Sequence, residues 1–519
     1  MASKVVLRPI DTKTKTAPQT TPITDDDGHQ GAVVFGHGEA AEEPASPATR
    51  LFHTRNLNCF IIAVLGCTTK INVDVIKKGL ECTLINHPRF SSIIKLDDKR
   101  GKKRWVPRKV NVENHIICPD LDPEMQCPDE FVENYTSSLT TKSMDMSKPL
   151  WDIHILNVKT SEANSIGILR MHHSLGDGIS LISLFLACTR KASDPNSLPT
   201  IPSTKRTRPK FGFFRQSFLS IWRIMMVIIN TIMDIMFFLA TLIFLKDTDT
   251  PLKGKKKDDE LLINPRRIVH RTVSLDDIKL IKNAMNVTVN DVIMGLLQAG
   301  MSRYLNRKYG NKKGNQSNDK NNLPKKVRLR GAIIFNIRPS AGIKALAEMM
   351  DKKSRAKWGN KIGYALTPLF IGFEENPLGY IRKAKAVIDR KKLSMESRFS
   401  FSAGLLILKL FGIKAAAALT NRVIGNTTVL VSNVVGPEDE ISFFGHSMVF
   451  AAPAVYGVAH ALTIHFQSYC NKMTISMVVD PEVIPDPYEL CDDLEVSLET
   501  FKEAIKKATK EVIPDDALP

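Results

Sequence analysis

The run Met171-His172-His173-Ser174-Leu175-Gly176-Asp177-Gly178 holds the residues whose types and spacing could do chemistry. Unperturbed imidazole has a pKa near 6.5, so it accepts a hydroxyl proton at neutral pH. Asp177 lies four residues past His173. The glycines on either side, Gly176 and Gly178, permit a sharp turn. That turn would direct the carboxylate inward to hold the loop, leaving one imidazole free for substrate. Three rival readings use the same residues: a chance match in an unrelated loop, two packed core histidines, and a metal site through His172, His173 and Asp177. Adjacent histidines seldom share one ion and no further ligand cluster accompanies them, so no metal is expected. Gly-x-Ser-x-Gly is absent, which argues against an α/β-hydrolase nucleophile.

The elements that must position this run follow from apolar spacing. Cys59–Leu65 and Ser165–Met171 read as strands, so two histidines stand where a strand runs out, a common place for α/β sites. Val73–Asn86 has helical spacing, with Asn72 or Thr69 as cap, and Ile179–Lys191 reads as a buried helix. In the second half Val289–Leu305 reads as a helix capped by Thr288 or Asn290. Val327–Ile337, Thr427–Val435 and Met473–Val479 read as strands. Strand and helix alternate, so the fold class is α/β. Residues 1–43 carry no apolar period and read as a disordered leader. The run 44–200 forms a first subdomain, 201–262 a basic linker, and 263–519 a second subdomain. Lys308–Lys326 is polar and low in complexity, so it reads as a flexible loop.

Composition narrows the classes. The 519 residues are 43% hydrophobic and 24% charged, which excludes a disordered chain, a collagen or a small disulfide scaffold. The length suggests about two to four domains. Lysine plus arginine is 72 and aspartate plus glutamate 54, a formal charge of +18 that favours anionic partners. Nucleic acid is not expected, because the basic runs 205–215, 253–257 and 325–330 lack interleaved aromatics and a recognition motif. The eight cysteines contain no C-x-x-C pair and read as free thiols of a reducing compartment. The first residues lack a signal-peptide core, which places the active domains in the cytosol.

HHSLGDG resembles the HHxxxDG signature of CoA-dependent acyltransferases. More narrowly, the chain resembles the plant bifunctional wax ester synthase/diacylglycerol acyltransferase family over about residues 43–510. Further matches are EPASPATRLFH near residue 44, Lys148-Pro149-Leu150-Trp151, Thr288-Val289-Asn290-Asp291-Val292, Phe335-Asn336-Ile337-Arg338-Pro339 and Ser432-Asn433-Val434-Val435-Gly436-Pro437. The resemblance implies two chloramphenicol-acetyltransferase-like subdomains, α+β two-layer sandwiches around a central tunnel. It implies acyl transfer from acyl-CoA, a substrate rather than a cofactor, to a long-chain fatty alcohol or to diacylglycerol. By position His173 matches the general base, His172 its neighbour and Asp177 the structural carboxylate, with Arg338 as that carboxylate's partner. Asn290 matches an asparagine that polarises the thioester carbonyl or places the histidine. Ser174 stands where many bacterial relatives have alanine. No cofactor is expected. Lysines and arginines at the mouth would attract the CoA phosphates.

The stretch Ser217–Leu245 is apolar for 29 residues, a length that ordinarily suggests a membrane span. Its polar residues Ser220, Arg223, Asn230, Asp234 and Thr241 fall within a roughly 80° arc at 100° per residue, one narrow stripe. A single crossing would also separate His173 from Asn290 and Arg338, which the proposed site joins. The helix is therefore expected to lie in one leaflet, to re-enter, or to pack its stripe on the protein, with basic flanks toward an anionic surface. The expected place is the endoplasmic reticulum membrane or the plasma membrane, with catalytic domains on the cytosolic side. Two alternatives remain at this stage: a soluble superfamily acyltransferase acting on a small alcohol or amine, against which stands the missing DFGWG-type signature, and a non-catalytic lipid-binding protein.

Overall fold

The computed structural model describes residues 42–96, 103–122, 124–202, 213–253, 265–312, 321–337, 342–350 and 358–512. The leader up to residue 41, the basic residues 205–210 and 254–257, and Arg338 lie outside the described residues.

Two large sheets carry the site. The first has seven strands in the order Ile116–Ile117, Trp151–Leu156, Ser165–His172, Phe60–Cys67, His446–Tyr456, Ile441–Phe443, Thr189–Lys191. The second has six, ordered Ile362–Leu369, Leu329–Asn336, Val429–Val434, Leu462–Tyr469, Lys472–Val479, Arg267–Ser274. A small third sheet pairs Glu43–Pro44 with Lys103–Pro107 and Ser92–Leu96. The chain does not keep to two consecutive halves. Ile441–Tyr456 leaves the second half and completes the first sheet, where His446–Tyr456 pairs with Phe60–Cys67 over Tyr456↔Phe60 to Met448↔Cys67. The two halves are thereby woven together.

Strand alternation decides what each sheet face does. In Phe60–Cys67, Ile62 and Val64 point to an apolar layer shared with Ile166, Ile168, Phe450 and Val478, which packs the two sheets together. Ile61, Ala63 and Leu65 point the other way, into a cavity.

The helices start where side chains can cap them. Asn72 accepts from the main-chain N–H of Asp74 and Val75 and opens Val73–Cys82. That helix stops earlier than the expected Asn86, and a 3₁₀ turn Leu84–Asn86 follows. Asp177 caps Gly178–Ala187. This helix is also shorter than expected, because Thr189–Lys191 turns into the edge strand of the first sheet. Thr288 Oγ1 accepts from Asp291 N while Asp291 Oδ2 accepts from Thr288 N, a reciprocal cap that opens Val289–Lys312. The expected loop from 308 is helical as far as Lys312. Within this helix Gly295 and Gly300 sit against Ile381 and Leu494 so closely that a Cβ would come within 3.0 Å of both neighbours. Helices Leu378–Lys392 and Pro487–Val512 can therefore close over the second sheet.

The apolar stretch forms one helix, Phe213–Ile243. The later half of its polar stripe packs on protein: Asn230, Asp234 and Thr241 are buried, while Ser220 and Arg223 are exposed. Asp234 bridges Arg390 at 2.8 Å and Lys391 at 3.0 Å, and Lys391 also reaches Glu396 at 2.5 Å. Asn426 Nδ2 donates to the Thr241 carbonyl at 2.7 Å.

Candidate active site

The strand Ser165–His172 delivers two adjacent histidines, and the alternation of a strand sends them to opposite faces. His172 faces inward. Its Nδ1 accepts from Ser174 Oγ at 2.7 Å and Ser174 N at 3.2 Å, which leaves the proton on Nε2, donated to Asn58 Oδ1 at 3.0 Å. His53 stacks on it at 4.3 Å and Phe60 meets it edge-on at 4.9 Å. Burial, with the neighbouring His53 and His173, holds its pKa well below the ordinary histidine range. Both nitrogens of His172 are occupied, so it positions the loop and has no lone pair to offer a substrate. The Ser174 hydroxyl thus has a definite task here that alanine could not perform.

His173 follows Leu169 and Met171 onto the other face and lines the cavity with them. Its main-chain N–H donates to Cys59 O at 2.9 Å, and Phe52 stacks on the ring at 4.6 Å. Nδ1 is sealed from solvent without a hydrogen-bond partner, which leaves Nε2 as the nitrogen presented to the cavity. Burial lowers the ring's pKa below its usual value, opposed by its own carbonyl and by the Asp177 carboxylate. A neutral imidazole is therefore the resting form at pH 7.

Asp177 is buried and holds its loop in two ways. One carboxylate oxygen accepts from Ser180 N at 2.9 Å, capping the helix, and the other accepts from Lys361 N at 3.3 Å, tying the motif to the second half. The expected pairing with Arg338 lies outside the described residues. The motif glycines are not in the left-handed region. What Gly176 supplies is close approach, since a Cβ there would stand 2.8 Å from the Trp358 ring; Gly178 faces open space.

The cavity measures about 320 Å³ and draws its lining from both halves of the chain. Its walls are mostly apolar, and among the described residues that line it Asp177 alone carries a charge. The expected lysines and arginines are not among these lining residues. Asn290 is not among them either. It is exposed at the start of its helix, and its side-chain carbonyl accepts from Asn433 Nδ2. Asn433 does line the cavity, beside Ser432.

Several site residues escaped the reading of the sequence. Phe52 comes from the helix Pro47–Phe52, capped by Ser46 within the run EPASPATRLFH. Asn360 donates to the His173 carbonyl at 2.9 Å and so fixes the motif from the second half. His465 lines the cavity with Nε2 accepting from Val455 N at 3.2 Å, and burial together with His173 lowers its pKa to about 3. Cys59 borders the cavity beside His173, but burial pushes its thiol up to about 12, so it is no thiolate at neutral pH. Among the described residues no serine hydroxyl or thiol is hydrogen-bonded to the His173 ring, and none forms a nucleophile–base pair with it. Only the motif spacing and the matched segments pointed toward this neighbourhood; the contacts to His173 from Phe52, Cys59 and Asn360 span more than a hundred residues.

Comparison with known proteins places the chain. A model of the wax ester synthase/diacylglycerol acyltransferase catalytic domain matches residues 102–293, and one of the WS/DGAT C-terminal domain matches 358–502. Wax ester synthase/diacylglycerol acyltransferase 11 of Arabidopsis thaliana is 52% identical, over 89% of this chain and 95% of its own length. Wax ester synthase/diacylglycerol acyltransferase 5 of the same plant is 48% identical, over 91% and 95%. In fold, the chain is similar to the wax ester synthase/diacylglycerol acyltransferase from Marinobacter aquaeolei VT8, with TM-score 0.55 and 15% identity over 89% of this chain and all of that one. The first condensation domain of the CDA synthetase is similar too, with TM-score 0.54 and 12% identity over 88% and 93%. With two matching family models and relatives 52% and 48% identical over about nine-tenths of its length, the chain belongs to the wax ester synthase/diacylglycerol acyltransferase family.

Proposed function

We propose that the protein transfers the acyl group of a long-chain acyl-CoA to the hydroxyl of a long-chain alcohol, forming a wax ester, and to that of diacylglycerol, forming triacylglycerol. The observation that carries this reading is His173, a neutral imidazole with an uncommitted Nε2 at an apolar cavity. Nε2 accepts the hydroxyl proton as the alcohol oxygen attacks the thioester carbonyl. The tetrahedral intermediate collapses with loss of the C–S bond. The imidazolium returns its proton to the departing thiolate, giving ester and free CoA. Atoms balance with no acyl-enzyme and no cofactor.

The oxyanion needs donors. Asn433 is the better placed amide, because it lines the cavity and Asn290 orients it through their side-chain hydrogen bond. One such donor is typically worth about 3–4 kcal/mol. In this reading Asn290 acts through Asn433, and Asp177 holds the loop without touching substrate. The mostly apolar lining suits fatty chains, and the two substrates would approach His173 as through the two mouths of a tunnel.

We further propose that the chain works at a membrane surface, on the cytosolic side of the endoplasmic reticulum. The helix Phe213–Ile243 buries much of its stripe on protein and turns Ile221, Ile224, Met236 and Ile243 outward. It is long enough to cross a membrane, but a helix held to one body by Asp234, Thr241 and Asn426 is better suited to lying in one leaflet.

The test supplies the purified protein with palmitoyl-CoA and competing hexadecanol and diacylglycerol, and identifies products by mass. Ester formation with stoichiometric CoA release is expected. CoA release without ester, or no turnover of either acceptor, would defeat the reading.

A further inference from the structure

A second apolar helix, Glu396–Gly425, stands beside the linker helix. It borders the cavity on both sides of its midpoint. Phe401, Leu405 and Leu408 line the cavity from one arm, and Ala416, Thr420 and Ile424 from the other, at the three- and four-residue spacing of one helix face. Between the arms the chain breaks at Gly412, whose φ of 81° and ψ of 179° are not helical. The opposite face is bare: Leu406, Leu410 and Phe411 are 56%, 62% and 71% exposed. This helix is therefore a single apolar layer between the cavity and the outside.

Charge says what covers that face. On the two helices the exposed charges among the described residues are Arg223, Arg398, Lys409, Lys414 and Arg422. Both acids, Asp234 and Glu396, are buried and joined through Lys391. An apolar face whose own exposed charges, among the described residues, are all cationic complements an anionic lipid surface, where each basic residue adds to the attraction. Phe238 packs edge-on against Phe399 at 5.6 Å, and Arg422 donates to the carbonyls of Leu242 and Ile243. The two helices thus present one continuous surface.

We propose that Glu396–Gly425 docks on an anionic phospholipid leaflet and forms the wall through which a lipid-dissolved acceptor passes into the cavity, with the break at Gly412 as the joint between its arms. This rests on the acyl-transfer reading above and adds the route: the alcohol or diacylglycerol reaches His173 from the bilayer without crossing water. A short alcohol, soluble in water, does not need that route.

Two readouts test it. In a Trp222→Phe background, Leu410→Trp places a reporter on the exposed face. Brominated phosphatidylcholine vesicles containing phosphatidylserine should quench it, and omitting phosphatidylserine should weaken the quenching. A reporter unquenched while Trp222 of the unmodified chain is quenched would overturn the docking. In the second readout, Leu406→Asp/Leu410→Asp should lower the ratio of vesicle-borne hexadecanol turnover to hexanol turnover by about tenfold or more. An unchanged ratio would overturn the route. Quenching does not depend on turnover, so a protein that binds vesicles but makes no ester counts against the acyl-transfer reading alone.

Discussion

His172 and His173 share a peptide bond and occupy opposite environments. Behind the strand, Asn58, Ser174, His53 and Phe60 satisfy or enclose every part of the His172 ring. In front of it, His173 has Phe52 against one face, Nδ1 sealed and unbonded, and a cavity before it. The difference teaches that a doubled histidine is not a doubled function. Strand geometry separates the two rings; the inward one is held by hydrogen bonds on both nitrogens, and the outward one faces the cavity.

That comparison can be broken most sharply by removing each ring in turn. His173→Ala should lower ester formation by about a hundredfold to ten-thousandfold, with a smaller change in the urea midpoint than His172→Ala, because its Nδ1 has no close hydrogen-bond partner to lose. His172→Ala should do the reverse. It leaves Asn58 and Ser174 unpaired in a buried site and should cost about 2–4 kcal/mol of stability in urea titration, with a smaller loss of activity per folded molecule. Equal kinetic losses for both would erase the distinction.

Acid should expose the structural class of histidine. Burial holds His87, His460 and His465 down to about 3. Folded-state values below the unfolded 6.5 mean that the unfolded chain binds more protons between those limits. The stability is then fully present above about pH 6.5 and is lost as pH falls below it. By about pH 5 each should cost about 2 kcal/mol, measured as a falling urea midpoint. A midpoint constant from pH 7 to 5 would contradict their neutral burial.

Smaller effects probe the supports. Asp177→Ala removes a helix cap and the tie to Lys361, at about 1–2 kcal/mol, whereas Asp177→Asn should keep most of the cap and lose less. Asn360→Ala frees the His173 carbonyl. It should reduce kcat by about fivefold with KM little changed, the signature of a positioning residue.

Much of this is legible in the sequence. The strand leading into the motif, the capping Asn72 and Thr288, and the polar stripe of the linker helix are local patterns, and local patterns survive in sequence. Alternation along Leu169, Met171 and His173 even carries the signal that chooses between the two histidines. What stayed hidden is long-range. Nothing in Ile441–Tyr456 announces that it joins the first sheet, because a half-apolar strand specifies a face and not a partner. The helix Glu396–Gly425 was obscured by Lys409 and Lys414 and by the break at Gly412, which shifts the phase of its apolar spacing. Asn290 was legible as a motif residue, yet its bond to Asn433, across 143 positions, moves the cavity-facing role to its partner.

The most direct measurement follows single-turnover ester formation from about pH 5 to about pH 8 in the wild type and in His173→Gln. The account predicts an acid limb in the wild type with its midpoint below 6.5, set by burial of His173. In His173→Gln that limb should vanish and the plateau should drop by at least about a hundredfold. The same limb at nearly the same rate in both proteins would show that another group takes the proton.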